Sequence, residues 1–241
     1  MNKGVAVLLF SLLCAPLHAQ HVVDEQGATV RTDTTQPRIY LCFTGHDYAE
    51  GFEYVLEVLR KHEVKGSFFL TGDFVRNYEE LVRSIAAQGH YVGAHSDKHL
   101  LYCDWTKRDS LLHPEQAIEE DIRSNLEALH WLDITPAVFM PPYEWYNRQV
   151  VDIAGQLQQT TVNFSPGTRS NADYTTPDMP NYLSSDTILE SVYSYLSAHS
   201  MNGFHLLIHP GTSPARTDKF YYKLDELIIR FKEEGYGFGT F

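Results

Sequence analysis

From Pro37 onward the chain alternates short β-rich runs with stretches of helical period, and this constrains the fold more than any other feature of its 241 residues. Arg38 to Phe43 reads as a first strand, after which Phe52, Val55, Leu56 and Leu59 recur at helical spacing. Ser67 to Leu70 is a second strand, followed by a helix through Leu81, Val82, Ile85 and Ala86 that Gly89 caps. Tyr91 to Ala94 is a third strand, and Pro114 opens a long helix through Ile118, Ile122, Leu126 and Leu129. Strands at Ala137 to Met140, Thr160 to Phe164, Phe204 to Ile208 and Tyr236 to Phe241 alternate with helices at Val150 to Leu157, Thr187 to Ala198 and Leu224 to Phe231. Such alternation means parallel strands joined by helical crossovers. Seven strands in one domain, residues 38–241, predict an α/β fold: a distorted or incomplete (β/α) barrel of seven to eight units. An open doubly wound sheet is the rival, but no Gly-rich dinucleotide loop follows the first strand.

The first nineteen residues differ from the rest. Lys3 gives a short positive start, Val5 to Leu13 is apolar, and Pro16 to Ala19 reads as a cleavage region. The run is too short to span a bilayer, so residues 1–19 are expected to be a secretory signal peptide, with a periplasmic or extracellular destination. Residues 20–37 read as a polar lead-in. A net charge of −12 disfavours nucleic acid and anionic lipid as partners and leaves neutral or cationic substrates open. An exported chain permits a disulfide between Cys42 and Cys103, but Cys42 sits mid-strand among apolar residues, where a buried free thiol is expected.

In a barrel, chemistry gathers where strands end and the following loops begin. Those ends read TGHD (44–47), HSDKH (95–99), PPYE (141–144), SPGT (165–168) and HPGT (209–212), most of them carrying His, Asp or Glu. His95 and His99 stand one helical turn apart, so a turn after the strand would aim both imidazoles at one point. Two neutral imidazoles, one carboxylate and an open water position make a catalytic zinc arrangement, and Asp47 at another strand end offers the carboxylate. His90 precedes its strand and reads as structural. Asn147 reads as a helix cap, and Trp105, Trp145 and Tyr146 as walls of a cleft or as loop packing.

Several stretches together resemble the polysaccharide deacetylases of carbohydrate esterase family four, which share a distorted (β/α) barrel. GHYVGAHSDKH (89–99) is similar to that family's second motif, GSFFLTG (66–72) to its second-strand signature, PPYEWYN (141–147) to its third motif and LLIHPG (206–211) to its fifth. EEGYGFGTF (233–241) is similar to the closing helix and strand. The resemblance implies hydrolysis of acetyl groups, N-acetyl foremost, on an acetylated oligo- or polysaccharide. It implies a divalent metal, zinc foremost, on Asp47, His95 and His99. The Tyr143 amide would hold an oxyanion, and His209 would act as general acid.

The departures are specific. The family has two adjacent aspartates after the strand phenylalanine, whereas Phe43 is followed by Thr44, Gly45, His46 and Asp47. The third motif usually opens with an arginine, and here Met140 stands in its place. Losing both partners of one ion pair together is chemically coherent, because either left alone and buried is costly. The usual Asp- and Trp-bearing fourth motif is not recognisable in VNFSPGTRSNADY (162–174). The general base therefore stays open among His46, Asp47 and Glu144. A metal-retaining carbohydrate-binding protein without activity, and an O-acetyl esterase on xylan-type glycans, are the alternatives. The sequence does not bear on oligomeric state.

Overall fold

A computed structural model describes residues 19–241, so the signal peptide expected at residues 1–19 falls outside the described residues except for its last. Among the described residues nine strands form one sheet: β1 (Val22–Val23), β2 (Thr29–Arg31), β3 (Arg38–Gly45), β4 (Ser67–Leu70), β5 (Tyr91–Ala94), β6 (Val138–Phe139), β7 (Thr160–Thr161), β8 (Phe204–Ile208) and β9 (Gly237–Gly239). Their order is β1-β2-β8-β3-β4-β5-β6-β7, with β9 on β3. Every pairing from β3 to β9 is parallel, as the crossovers require. The helices between them are α1 (Phe52–Lys61), α2 (Gly72–Asn77), α3 (Glu79–Ala87), α4 (Glu115–His130), α5 (Arg148–Gln156), α6 (Ser185–Ala198) and α7 (Leu224–Glu233). This is the incomplete (β/α) barrel that the alternation predicts.

Strand burial explains the apolar runs. Parallel strands covered on one face by helices and closed on the other carry apolar residues on both. Ile39, Leu41 and Phe43 pack into the helix-side core. Tyr40 and Cys42, one residue out of phase, enter a small interior cluster with Phe69, Met140, Val162 and Leu207. Cys42 and Cys103 are both buried and free.

Two features the sequence reading did not assign matter for the site. The lead-in at residues 20–37 carries the short strands β1 and β2: Arg31 pairs with Phe204 of β8, Thr29 with Val162 just past β7, and the Asn163 amide donates to Thr29 O at 3.0 Å. This segment, antiparallel to β8 and joined to Val162 by a parallel bridge, links the two ends of the parallel series. The helix α2, begun by Thr71, whose Oγ1 accepts from the Phe74 amide at 3.1 Å, directly follows β4. As expected, Gly89 follows α3 with φ +77° and bonds back to Ala86 O at 2.9 Å. Asn147 caps α5, accepting from the Val150 amide at 3.1 Å.

Candidate active site at the strand ends

β3 runs two residues further than the apolar pattern indicates, so Thr44 and Gly45 still belong to the strand. Thr44 follows Cys42 on the interior face and is buried, with Oγ1 lacking a hydrogen-bond partner. The strand end thus carries no carboxylate where it meets the barrel interior. His46 comes next, its Nδ1 3.2 Å from Thr71 Oγ1 and its Nε2 3.3 Å from Asp47 Oδ1. The Asp47 side chain is 68% exposed.

His95, at the end of β5, is 1% exposed. Its Nδ1 donates to Met140 O at 2.7 Å, which fixes the tautomer and leaves the Nε2 lone pair free. Its amide donates to Asn125 Oδ1 at 2.8 Å, while Asn125 Nδ2 donates to Leu70 O at 3.0 Å. One buried amide on α4 therefore ties the ends of β4 and β5 together. Burial pushes the His95 pKa down to about 3.

His95 and His99 do meet, at 5.0 Å between ring centroids, but not through a helical turn. Ser96 and His99 both have positive φ, +70° and +55°, and the His99 amide donates to Ser96 Oγ at 3.0 Å. The buried carboxylates beneath hold this turn. Asp97 takes a two-pronged ion pair from Arg76 at 2.7 and 3.0 Å. Asp121 accepts from the Lys98 amide at 2.9 Å and from the Tyr102 hydroxyl at 2.7 Å. The His99 ring stacks on His46 with centroids 4.6 Å apart and packs at a tilt of 53° against Tyr143 at 4.4 Å. Desolvation, with the neighbouring imidazoles adding, pushes the His99 pKa down to about 2. Both rings are therefore held neutral.

The opposite wall comes from the PPYE turn. Tyr143 and Glu144 are consecutive residues at φ +58° and +51°. Left-handed backbone at side-chain-bearing residues is uncommon and gathers at functional sites. Desolvation raises the Glu144 carboxyl to about 7, with Asp173 adding and His209 opposing. Burial opposes a charge on His209, but the Asp173 carboxylate outweighs it and lifts the pKa above the ordinary histidine value. Asp173 Oδ1 accepts from His209 Nδ1 at 2.5 Å and Oδ2 from the His209 amide at 2.8 Å.

Of the residues singled out from sequence, His46, His95 and His99 come together beside Tyr143. Glu144 couples to His209, and the Asp47 carboxylate faces largely outward. His90 accepts from the Gly66 amide at 3.2 Å at the other end of β5, which is a structural post. Asp173 was missed; its only sequence signal was a lone carboxylate in a strand-end loop. The donor chemistry at the mouth fits a divalent ion, since His95 offers a free Nε2 and both deep imidazoles are held neutral. As placed, no three His, Cys, Asp or Glu groups among the described residues converge on one ion.

Residues 31–162 match the family model "Polysaccharide deacetylase". The chain belongs to the polysaccharide deacetylase family. It is 32% identical over 196 residues to YlxY of Bacillus subtilis, a match covering 81% of this chain and 52% of that protein. It therefore spans about half the length of that relative. A chitooligosaccharide deacetylase of Rhizobium leguminosarum is 27% identical over 191 residues, covering 79% of this chain and 77% of that one. Among solved structures, a CE4 family pseudoenzyme from Bacillus anthracis shares the fold with a TM-score of 0.71 at 22% identity, covering 90% of this chain and 68% of that one.

Proposed function

We propose that the chain is a metal-dependent hydrolase that removes acetyl groups, N-acetyl foremost, from an amino-sugar glycan such as peptidoglycan. The observation that carries this is the pairing of two chemistries at one mouth. A cluster of imidazoles, two of them held neutral by burial, lies on one side, and on the other a carboxyl whose pKa burial raises to about 7 lies near a histidine whose pKa the Asp173 carboxylate raises. Raising the carboxyl makes it a stronger base and raising the imidazole pKa keeps a proton available to give, so one site can run both halves of a hydrolysis near neutral pH.

Asp47, His95 and His99 would hold the ion, with zinc foremost and His46 placed to substitute for the exposed Asp47. When bound, a divalent ion supplies polarisation of the acetyl carbonyl and acidification of water. Glu144 takes the proton from the attacking water; its pKa near 7 suits a base at neutral pH. The Tyr143 amide donates to the oxygen on which negative charge develops. His209, held by Asp173, gives its proton to the departing amine. The predicted leader would bring such an enzyme to periplasmic or extracellular glycan.

A second reading is a glycan-binding protein without turnover. It is favoured by Thr44 and Gly45, which leave no carboxylate on the β3 end. An acetate-release screen of the zinc-loaded protein against N- and O-acetylated glycans, with Glu144→Gln and His209→Ala as controls, separates the readings. Release lost in both variants supports the N-deacetylase, release from O-acetyl xylan alone supports the esterase, and binding without release supports the second reading.

A further inference from the structure

β3 and β8 are neighbours in the sheet, so the loops that follow them lie side by side. His46 and Asp47 stand on the first loop, and His209 opens the second. The two backbones touch. The Gly51 amide donates to Pro210 O at 3.1 Å, and a Cβ on Gly211 would stand 1.7 Å from Tyr48 O. A Cβ on Gly51 would meet Pro210 O at 2.4 Å and the Tyr221 ring at 2.5 Å. Only glycine at both positions lets the loops approach this closely.

Side chains close the same junction. Glu50 Oε1 accepts from the Thr212 amide at 3.0 Å and from Lys219 Nζ at 2.8 Å. Lys219 Nζ also donates to Thr212 O at 3.0 Å, Thr212 Oγ1 at 2.8 Å and Ser213 O at 3.1 Å. One ammonium therefore gathers the carboxylate of one loop and three oxygens of the other. An ion pair on an open surface does little, because water screens it and two long side chains must be ordered to make it. This pair is different. The Lys219 side chain is only 12% exposed, the next two residues, Phe220 and Tyr221, are buried, and a backbone amide holds Glu50 as well.

Neither residue belongs to the imidazole cluster or to the Glu144 and His209 side of the site. Yet Glu50 is three residues past Asp47, and Thr212 three past His209. Sliding one loop against the other would change the distance between the imidazoles and the acid, and a misplacement of about 1 Å costs about 10²-fold in rate. We propose that Glu50 and Lys219 are positioning residues, whose ion pair latches the His46–Asp47 loop to the loop after His209 and holds the two sides of the site at one spacing. The catalytic consequence rests on the deacetylase reading above; the latch itself does not.

The test compares wild type, Glu50→Ala, Lys219→Met and the double variant in two measurements. In the metal-free proteins, hydrogen exchange at the Gly51 amide should quicken about tenfold or more in each variant, although none of them alters Gly51 or Pro210. The His95 amide, held by Asn125, should keep its wild-type rate. In the zinc-loaded proteins, kcat on an N-acetylglucosamine tetramer should fall about 10–100-fold with KM within about twofold. The double variant should lose no more than the worse single one, since either change opens the same latch. Gly51 exchange unchanged in Lys219→Met, kcat unchanged in every variant, or losses that multiply in the double variant would overturn the proposal. A wild type without turnover on any N-acetylated glycan would instead overturn the deacetylase reading, and the exchange rates would still decide the latch.

Discussion

Asp173 grips His209 at two atoms, its Oδ2 accepting from the His209 amide at 2.8 Å and its Oδ1 from the ring Nδ1 at 2.5 Å. One carboxylate therefore sets the orientation, the tautomer and the charge of the imidazole. Burial alone would depress the His209 pKa, and Asp173 with Glu144 reverses that. A histidine acting as acid works until pH rises through its pKa, so a raised pKa extends activity to higher pH. Asp173→Asn should move the alkaline limb of the pH–rate profile downward and lower kcat at pH 8 by about 10²–10⁴-fold. Profiles of the two proteins on one acetylated oligosaccharide check this; superimposable curves would remove Asp173 from control of His209.

Glu144 gives a stability prediction that needs no substrate. Desolvation raises its carboxyl from the ordinary 4.5 to about 7. Between those values the folded chain holds a proton that the unfolded chain has released, so stability falls as pH rises through that window. Above it the full cost of burying the charge is present. Glu144→Gln should therefore be more stable than wild type at pH 8, by on the order of 1–3 kcal/mol, and equal to it at pH 4. Thermal unfolding at the two pH values reads it directly. Equal stability at both would mean the carboxylate is solvated and no poised base.

What sequence could and could not show follows from range. Strands and helices with several residues of clear period were legible, and so was the Asn147 cap, because its signal is three residues long. The strands at Val22–Val23 and Thr29–Arg31 were not, since two or three residues carry no periodicity, and the second is held by Phe204 and Val162 far along the chain. The fifth predicted strand, residues 160–164, shortens to Thr160–Thr161 for the same reason: the Asn163 and Ser165 amides turn to Thr29 and His205. The His95–His99 spacing announced a meeting of rings, but the path between them depends on Asp121 and Arg76 from two other helices. Asp173 was invisible because its partner lies 36 residues away and only the sheet brings them together.

The metal assignment is tested at its ligands and behind them. His95→Ala and His99→Ala should each strip zinc from a folded protein, measured as bound metal per chain alongside circular dichroism. Asn125→Ala acts one step back, removing the acceptor for the His95 amide and the donor to Leu70 O. It should weaken zinc binding by about 10–100-fold through lost orientation and destabilise the fold by about 1–3 kcal/mol. Zinc retained at full occupancy in both histidine variants would overturn the ligand set.

The interior of the barrel offers no partner to a buried arginine at position 140. Met140 is fully buried among Tyr40, Cys42, Phe69, Val162 and Leu207, a lining with no carboxylate. Thr44, on the same inward face two residues past Cys42, has a hydroxyl without a partner. Met140→Arg therefore buries an unpaired cation and Thr44→Asp an unpaired anion, each expected to destabilise by about 3–5 kcal/mol. Made together, the two should lose less than their sum, with a favourable coupling of about 1–3 kcal/mol in a double-mutant cycle of urea unfolding. Strict additivity would show that the two side chains do not meet. A favourable coupling would show that Thr44 and Met140 occupy the two ends of a vacated ion pair, which the apolar interior tolerates only while both charges are absent.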